Sequence, residues 1–153
     1  MTASSTPTGD KIVSATRRID APANVIFDLL ANPARHSEID GSGTVREGHA
    51  DNPKRLALGD RFGMDMKMGV PYRISNEVVA FEENRVIAWR HFGHHVWRYD
   101  LEPDGDATIV TESFNWGVAR FPPFYEWMGY PAKHEKNMAA TLERLEAVVT
   151  ASR

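Results

Sequence analysis

The sequence predicts an α+β fold in which a seven-stranded, curved antiparallel sheet wraps around a long C-terminal helix. Residues 61–116 alternate apolar and polar side chains with the two-residue period of strands, and turn residues interrupt this alternation at intervals. From about residue 123 to residue 150 the apolar positions change to helical spacing. A sheet with one face to bury and one long amphipathic helix are natural packing partners.

The composition is that of an ordinary globular domain. Of 153 residues, 42% are hydrophobic and 25% are charged, and the net charge is −3, so no positive field favours nucleic acid or anionic lipid. The absence of cysteine excludes disulfides, thiolate nucleophiles and Cys-based metal sites. We expect a disordered Ser/Thr/Pro/Gly-rich tail over residues 1–10 and a single ligand-binding domain over residues 11–150.

The N-terminal residues lack the apolar core of a secretory signal. No run of residues approaches the roughly 18 consecutive apolar residues of a membrane span. We therefore expect a cytoplasmic protein that is a monomer or homodimer, that binds no nucleic acid and that has no stable membrane insertion.

The first third of the chain is predicted to hold two strands and two short helices. A strand over 11–20 ends at Asp20, which we expect to cap a helix over 22–31. A second short helix follows over 33–39, and a short strand lies near 44–47. The later strands are predicted at 61–68, 72–82, 85–92, 96–103 and 106–116. In the long helix, Gly129 and Pro131 should kink or divide the first third.

The hairpin turns set a predicted register. Two-residue turns at 83–84 and 104–105, with three-residue turns at 69–71 and 93–95, place inward residues opposite inward residues on every strand pair. A polar belt across the inner face then comprises Met64, Asn76, His91, Trp97 and Glu112. A deeper and nearly apolar belt comprises Phe62, Val78, Trp89, Tyr99 and Val110. We expect the polar belt to lie nearer the pocket mouth.

Several segments carry a family resemblance: IDAPANVIF at 19–27, NEVVAFEENRVIAW at 76–89, WRYDLEP at 97–103 followed by Asp-Gly, and TIVTESF at 108–114. Over about residues 11–150 the chain resembles the polyketide cyclase/dehydrase and lipid-transport group of the START-like (SRPBCC) superfamily. This resemblance implies a helix-grip fold with a cavity between the sheet and the long helix. It supplies no universal catalytic motif, so the candidate site residues rest on the predicted register.

The inner face supplies a candidate ligand site. Its methionine stripe, at Met64, Met66 and Met68, suits varied apolar ligands, and its aromatic residues suit stacking on rings. Ordinary core packing is the alternative. The aromatic segment 120–131 is predicted to form a lid, a sealing cap or a partner surface. The predicted ligand-binding residues are Met64, Met66, Tyr72, Asn76, Trp97, Tyr99, Phe114, Phe121, Phe124, Trp127, His134 and Met138.

The leading hypothesis is a protein that binds a hydrophobic small molecule, such as a lipid, a polyketide-like compound or an aromatic metabolite, in an internal cavity. The alternative is a polyketide cyclase/dehydratase-type enzyme in which the inward-facing His91 and Glu112 transfer protons. In the predicted register their backbones lie about 10 Å apart, so a buried hydrogen-bond network is a simpler role for them.

A cluster of histidines, His91, His94 and His95, lies around the turn after the fifth predicted strand. No nearby carboxylate has convincing ligand spacing, so we favour a solvated turn over a metal site. We predict no metal and no cofactor.

Overall fold

The computed structural model describes residues 12–39, 45–48, 54–68, 70–91, 95–116 and 130–151, without the side chains of 37, 45–48, 64–68, 70–74, 91 and 130–135. One antiparallel sheet has the strand order β1-β7-β6-β5-β4-β3-β2. Its strands are β1 (Ile12–Ile19), β2 (Val45–Gly48), β3 (Arg61–Met68), β4 (Val70–Glu82), β5 (Val86–His91), β6 (Val96–Asp104) and β7 (Ala107–Asn115). The predicted α+β class is confirmed.

The helices lie in two groups, as the sequence predicts. Helix α1 (Ala23–Leu30), a 3-10 turn (Pro33–Arg35) and α2 (His36–Ile39) follow β1, and the long α3 (Tyr130–Thr150) ends the described chain. Helix α1 has Pro22 at its N-cap position and no side-chain cap, so the prediction that Asp20 caps it is wrong. Complete burial of Ile26, Phe27 and Leu30 stabilises this short helix instead.

Helix α3 packs mainly on β1, α2 and β7. Its inward face buries Met138, Leu142, Leu145 and Val149. Arg17 on β1 donates a hydrogen bond to Glu146 Oε1 at 2.9 Å, which ties the C-terminal half of α3 to the sheet edge. Pro131 lies in the first turn of α3, where its missing N–H leaves no hydrogen bond unmade. Residues 123–129, where the helix is predicted to begin, lie outside the described residues.

Three hairpins adopt registers that differ by two residues from the predicted ones. Asn76 pairs with Phe62 rather than Met64. Trp97 pairs with Trp89 and Phe114 rather than with His91 and Glu112. Because side chains alternate with a period of two, these shifts move residues along the sheet and leave each one on its predicted face.

The β4–β5 hairpin has two of its predicted residue pairs, although its turn differs from the predicted one. The turn has three residues, Glu83 to Arg85, and its centre, Asn84, has φ 62°. The register shifts between Val78 and Ala80, so Ala80 pairs with Ala88 and the predicted pairing of Ala80 with Ile87 is wrong. This β-bulge offsets the longer turn, and the predicted pairs Asn76–His91 and Val78–Trp89 are confirmed.

The turn between β6 and β7 supplies a test of the corrected register. Its central residues are Gly105 and Asp106, and Gly105 has φ 63°. A Cβ built at Gly105 meets nothing within 4 Å, so neighbouring atoms would not crowd a side chain there. The cost of a side chain comes from the backbone conformation at positive φ. We expect Gly105→Ala to lower the free energy of unfolding by about 1 kcal/mol in urea titrations.

The matched control is Gly105→Asn, because asparagine tolerates positive φ better than alanine and should cost less. Equal stability of Gly105→Ala and the unmodified protein would contradict the positive φ at this turn.

Candidate functional site

Aromatic rings from three elements meet on the inner face around Trp89 of β5. His36 of α2 stacks on Trp89 with centroids 5.1 Å apart and an interplanar angle of 23°. Phe62 of β3 meets Trp89 edge-on at 5.5 Å, and Tyr99 of β6 lies 5.7 Å from it. We call His36, Phe62, Trp89 and Tyr99 the Trp89 cluster. It places the His36 side chain of α2 against rings of β3 and β5.

A second aromatic group, the Phe114 cluster, lies toward the other end of β6 and β7. Phe114 is fully buried, and Trp97 lies 4.6 Å from it between ring centroids. His95 and Trp116 lie 5.1 Å and 6.1 Å from Phe114. Met138 of α3 packs into the same cluster. The inner face therefore carries two aromatic groups rather than one uniform core.

A hydrogen-bonded pair, Tyr99 and Glu112, lies where the two clusters adjoin. The two residues are paired directly across β6 and β7, and Glu112 is two residues from Phe114 on its strand. The Tyr99 hydroxyl donates to Glu112 Oε2 at 2.8 Å. Each residue is only 4% exposed, so this carboxyl group is removed from bulk water and held by a side chain of the neighbouring strand.

His36 is a buried histidine at the start of α2. Its Nε2 lies 2.8 Å from the carbonyl oxygen of Leu30. A carbonyl oxygen can only accept, so Nε2 carries the proton and donates it. Burial lowers the pKa of His36 to about 4, and the hydrogen bond to Leu30 opposes that change only in part. The imidazole is therefore neutral at physiological pH.

Most predicted site residues with described side chains are buried on the inner face. Trp97 is partly buried, and the buried ones are Asn76, Tyr99, Glu112, Phe114 and Met138. Other predicted side chains lie outside the described residues, although their backbones belong to described strands or to α3: Met64, Met66, Met68, Tyr72, His91 and His134. The predicted lid residues Phe121, Phe124 and Trp127 lie entirely outside the described residues.

The predicted polar belt does not form as one row across the sheet. Asn76 and His91 share a row, as predicted, but Glu112 lies level with Tyr99 and Ile87. Ile87 is four residues from His91 on β5, and β6 lies between β5 and β7. The register therefore keeps the backbones of His91 and Glu112 well apart. A proton-transfer role for either residue stays a prediction.

Sequence reasoning missed His36 and did not foresee the bond between Tyr99 and Glu112. Helix α2 has four residues, which is too few for a helical period to show which side chain faces inward. Tyr99 pairs with Glu112 because the central residues of the β6–β7 turn are 105 and 106 and not the predicted 104 and 105. The usable signal for His36 is its place just after Asn32-Pro33, where a 3-10 turn leads into α2.

Two properties of the described residues bear on other classes of function. Within these ranges no group of three or more His, Asp or Glu side chains is arranged to hold a metal ion, and His94 lies outside them. No described helix combines the length and the apolar character that crossing a bilayer requires.

Comparison with known proteins gives consistent similarities. The family model described as polyketide cyclase/dehydrase and lipid transport matches residues 11–150. The uncharacterized protein Rv0088 of Mycobacterium tuberculosis is 37% identical over 151 residues, which cover 95% of this chain and 67% of that protein. The family match confirms the resemblance that the sequence motifs indicate.

Solved structures resemble the fold at low sequence identity. Protein NE0264 from Nitrosomonas europaea has a TM-score of 0.75 at 14% identity and covers 95% of this chain and 98% of its own. The ginseng major latex-like protein 151 from Panax ginseng has a TM-score of 0.67 at 14% identity and covers 91% of this chain and 97% of its own. These likenesses establish the helix-grip fold.

The burial of His36 predicts that the free energy of unfolding depends on pH in the acidic range. Its pKa is about 4 in the folded protein and about 6.5 in the unfolded chain. Between these values the unfolded chain binds more protons, so the contribution of His36 is lost as pH falls through this window. We expect a loss on the order of 3 kcal/mol in the free energy of unfolding below pH 4 relative to neutral pH.

His36→Phe preserves a flat ring against Trp89 and should remove this part of the pH dependence. Urea titrations from pH 7 to pH 4 measure the slope in both proteins, and NMR titration of the His36 ring measures its pKa directly. A ring that titrates near pH 6.5 in the folded protein would contradict the buried placement.

Proposed function

Because this chain belongs to the polyketide cyclase/dehydrase and lipid transport family, we propose that it binds an apolar small molecule in an internal cavity between the sheet and α3. The candidate ligand classes are lipids, polyketide-like compounds and aromatic metabolites. The observation that carries the proposal is the buried Tyr99–Glu112 pair among aromatic rings. Small-molecule sites typically combine an apolar lining with a few placed polar groups.

The packing of the helices supports a location for this cavity. Helix α3 packs mainly at the β1 and β7 side of the sheet, whereas His36 of α2 covers Trp89 and Phe62 on β5 and β3. The proposed cavity lies between the sheet and α3, beside the part covered by α2 and above the inner faces of β4 to β6. Tyr99 and Glu112 would then form its polar anchor.

The remaining predicted lining is consistent with this location. Asn76, on β4, would add an amide at one side, and Trp97 with Phe114 would supply ring faces at the other. Met138 would contribute a flexible thioether from α3. The methionines of β3, Tyr72, His134 and the aromatic segment 120–131 complete the proposed set.

An enzyme of the cyclase/dehydratase type remains the alternative from sequence. It would require Glu112 to act with Tyr99 rather than beside His91, because the register separates the backbones of His91 and Glu112. The Tyr99–Glu112 bond serves a binding anchor equally well, since a buried carboxyl group can orient a ligand without transferring a proton.

The direct test is native mass spectrometry of freshly purified protein, followed by organic extraction and identification of any small molecule that is released. We expect a bound apolar molecule at close to one copy per chain. Protein that is empty after purification, and that binds no added lipid, polyphenol or polycyclic compound in titrations, would refute the proposal.

A second test concerns the polar anchor. Tyr99→Phe removes the donor to Glu112 Oε2 and leaves the buried carboxyl group less well held, so ligand affinity should fall about tenfold. Stability should fall by about 1–3 kcal/mol, the usual cost of an unsatisfied buried polar group. Isothermal titration with the extracted ligand and urea unfolding measure the two effects.

The matched control lies on the opposite face of the sheet. Thr16 Oγ1 and Thr111 Oγ1 are 3.0 Å apart, and Thr16→Val removes this hydrogen bond without altering the inner face. Its affinity for the ligand should equal that of the unmodified protein. Equal affinities for Tyr99→Phe and Thr16→Val would exclude Tyr99–Glu112 as the anchor.

A further inference from the structure

His36 is placed differently from the other groups of the proposed site. It comes from α2 rather than from the sheet, and its ring lies against Trp89 on one face and near Phe62 at 5.6 Å between centroids. The residue is 8% exposed. A phenylalanine would fill the same apolar position without the cost of burying two ring nitrogens. The imidazole therefore adds a polar function to an otherwise aromatic covering.

The hydrogen bond to Leu30 determines which ring nitrogen of His36 donates a hydrogen bond and which one can accept. Nε2 donates to the Leu30 carbonyl oxygen, so in the neutral ring Nδ1 carries a lone pair and no proton. Among the described residues, the Leu30 carbonyl is the hydrogen-bond partner of this ring. Nδ1 is therefore an acceptor fixed in position by the bond on the other side of the ring.

The surroundings of His36 keep this acceptor uncharged. The rings in contact with it are Trp89 and Phe62, and the burial of the imidazole disfavours a second proton. A neutral acceptor in apolar surroundings forms a hydrogen bond with a ligand O–H or N–H group and none with a ligand group that can only accept.

We propose that His36 Nδ1 is a selectivity site that accepts a hydrogen bond from an O–H or N–H donor attached to a flat, apolar ligand. This inference rests on the proposed ligand-binding function and names a chemical requirement for the ligand. The Trp89 and Phe62 rings next to the imidazole supply apolar contacts for the ligand, and the donor of the ligand supplies the proton that Nδ1 lacks.

Two probes of similar shape test this requirement: 2-naphthol, which carries a donor, and 2-methoxynaphthalene, which does not. We expect the unmodified protein to bind 2-naphthol about tenfold more tightly, as measured by quenching of tryptophan fluorescence. In His36→Phe the ratio of the two affinities should fall to about one, because the phenyl ring keeps the stacking and removes the acceptor.

His95→Phe is the matched control, because it replaces a second buried imidazole in the separate Phe114 cluster. It should retain the preference for 2-naphthol. If His36→Phe is poorly folded by circular dichroism, His36→Gln provides the second variant, and 15N NMR of His36 in the unmodified protein should show Nδ1 responding to 2-naphthol alone.

The outcomes separate the two proposals. Equal affinities of the unmodified protein for both probes, or a preference that survives in His36→Phe, would overturn the role of His36 while leaving the ligand-binding function intact. Failure of the unmodified protein to bind either probe, together with empty protein in native mass spectrometry, would overturn both.

Discussion

The pleat of the sheet is the constraint on which the rest of the structure depends. Successive side chains of a strand point to opposite faces, so β5, β6 and β7 commit every second residue to the face beneath α2 and α3. Once that face is buried, each polar group on it needs a partner inside the protein. On this face Tyr99 donates a hydrogen bond to Glu112 Oε2, and on α2, which packs over it, the Leu30 carbonyl accepts a hydrogen bond from His36 Nε2.

The same constraint explains how far the fold could be predicted from sequence. Periodicity identifies the faces, but a shift of two residues leaves every side chain on its face, so periodicity cannot detect such a shift. Turn geometry decides the register, and here Gly105 takes the first central position of its turn rather than the second. The bulge after Val78 compensates for a longer turn at Asn84, and no local pattern in the sequence shows that the two cancel.

The candidate site could be predicted from the sequence to a similar extent. The inward placement of Glu112 follows from strand alternation, and its burial agrees with that placement. Its bond to Tyr99 required the corrected register. His36 depends on how α2 packs across the sheet against Trp89, which is a long-range relation, so the short helix offers no period from which to infer it.

Stability alone gives no reason for these polar groups on the inner face. Replacing both members of a buried hydrogen-bonded pair by apolar groups of the same shape is often neutral or stabilising, and this holds in principle for Tyr99 and Glu112. A phenyl ring at position 36 would stack on Trp89 without the penalty of a lowered histidine pKa at acidic pH. The two groups come from different elements and are held by separate hydrogen bonds, yet both lie on the same aromatic face. That coincidence is expected of a surface that recognises a ligand, because recognition requires polar groups at fixed positions within an apolar lining.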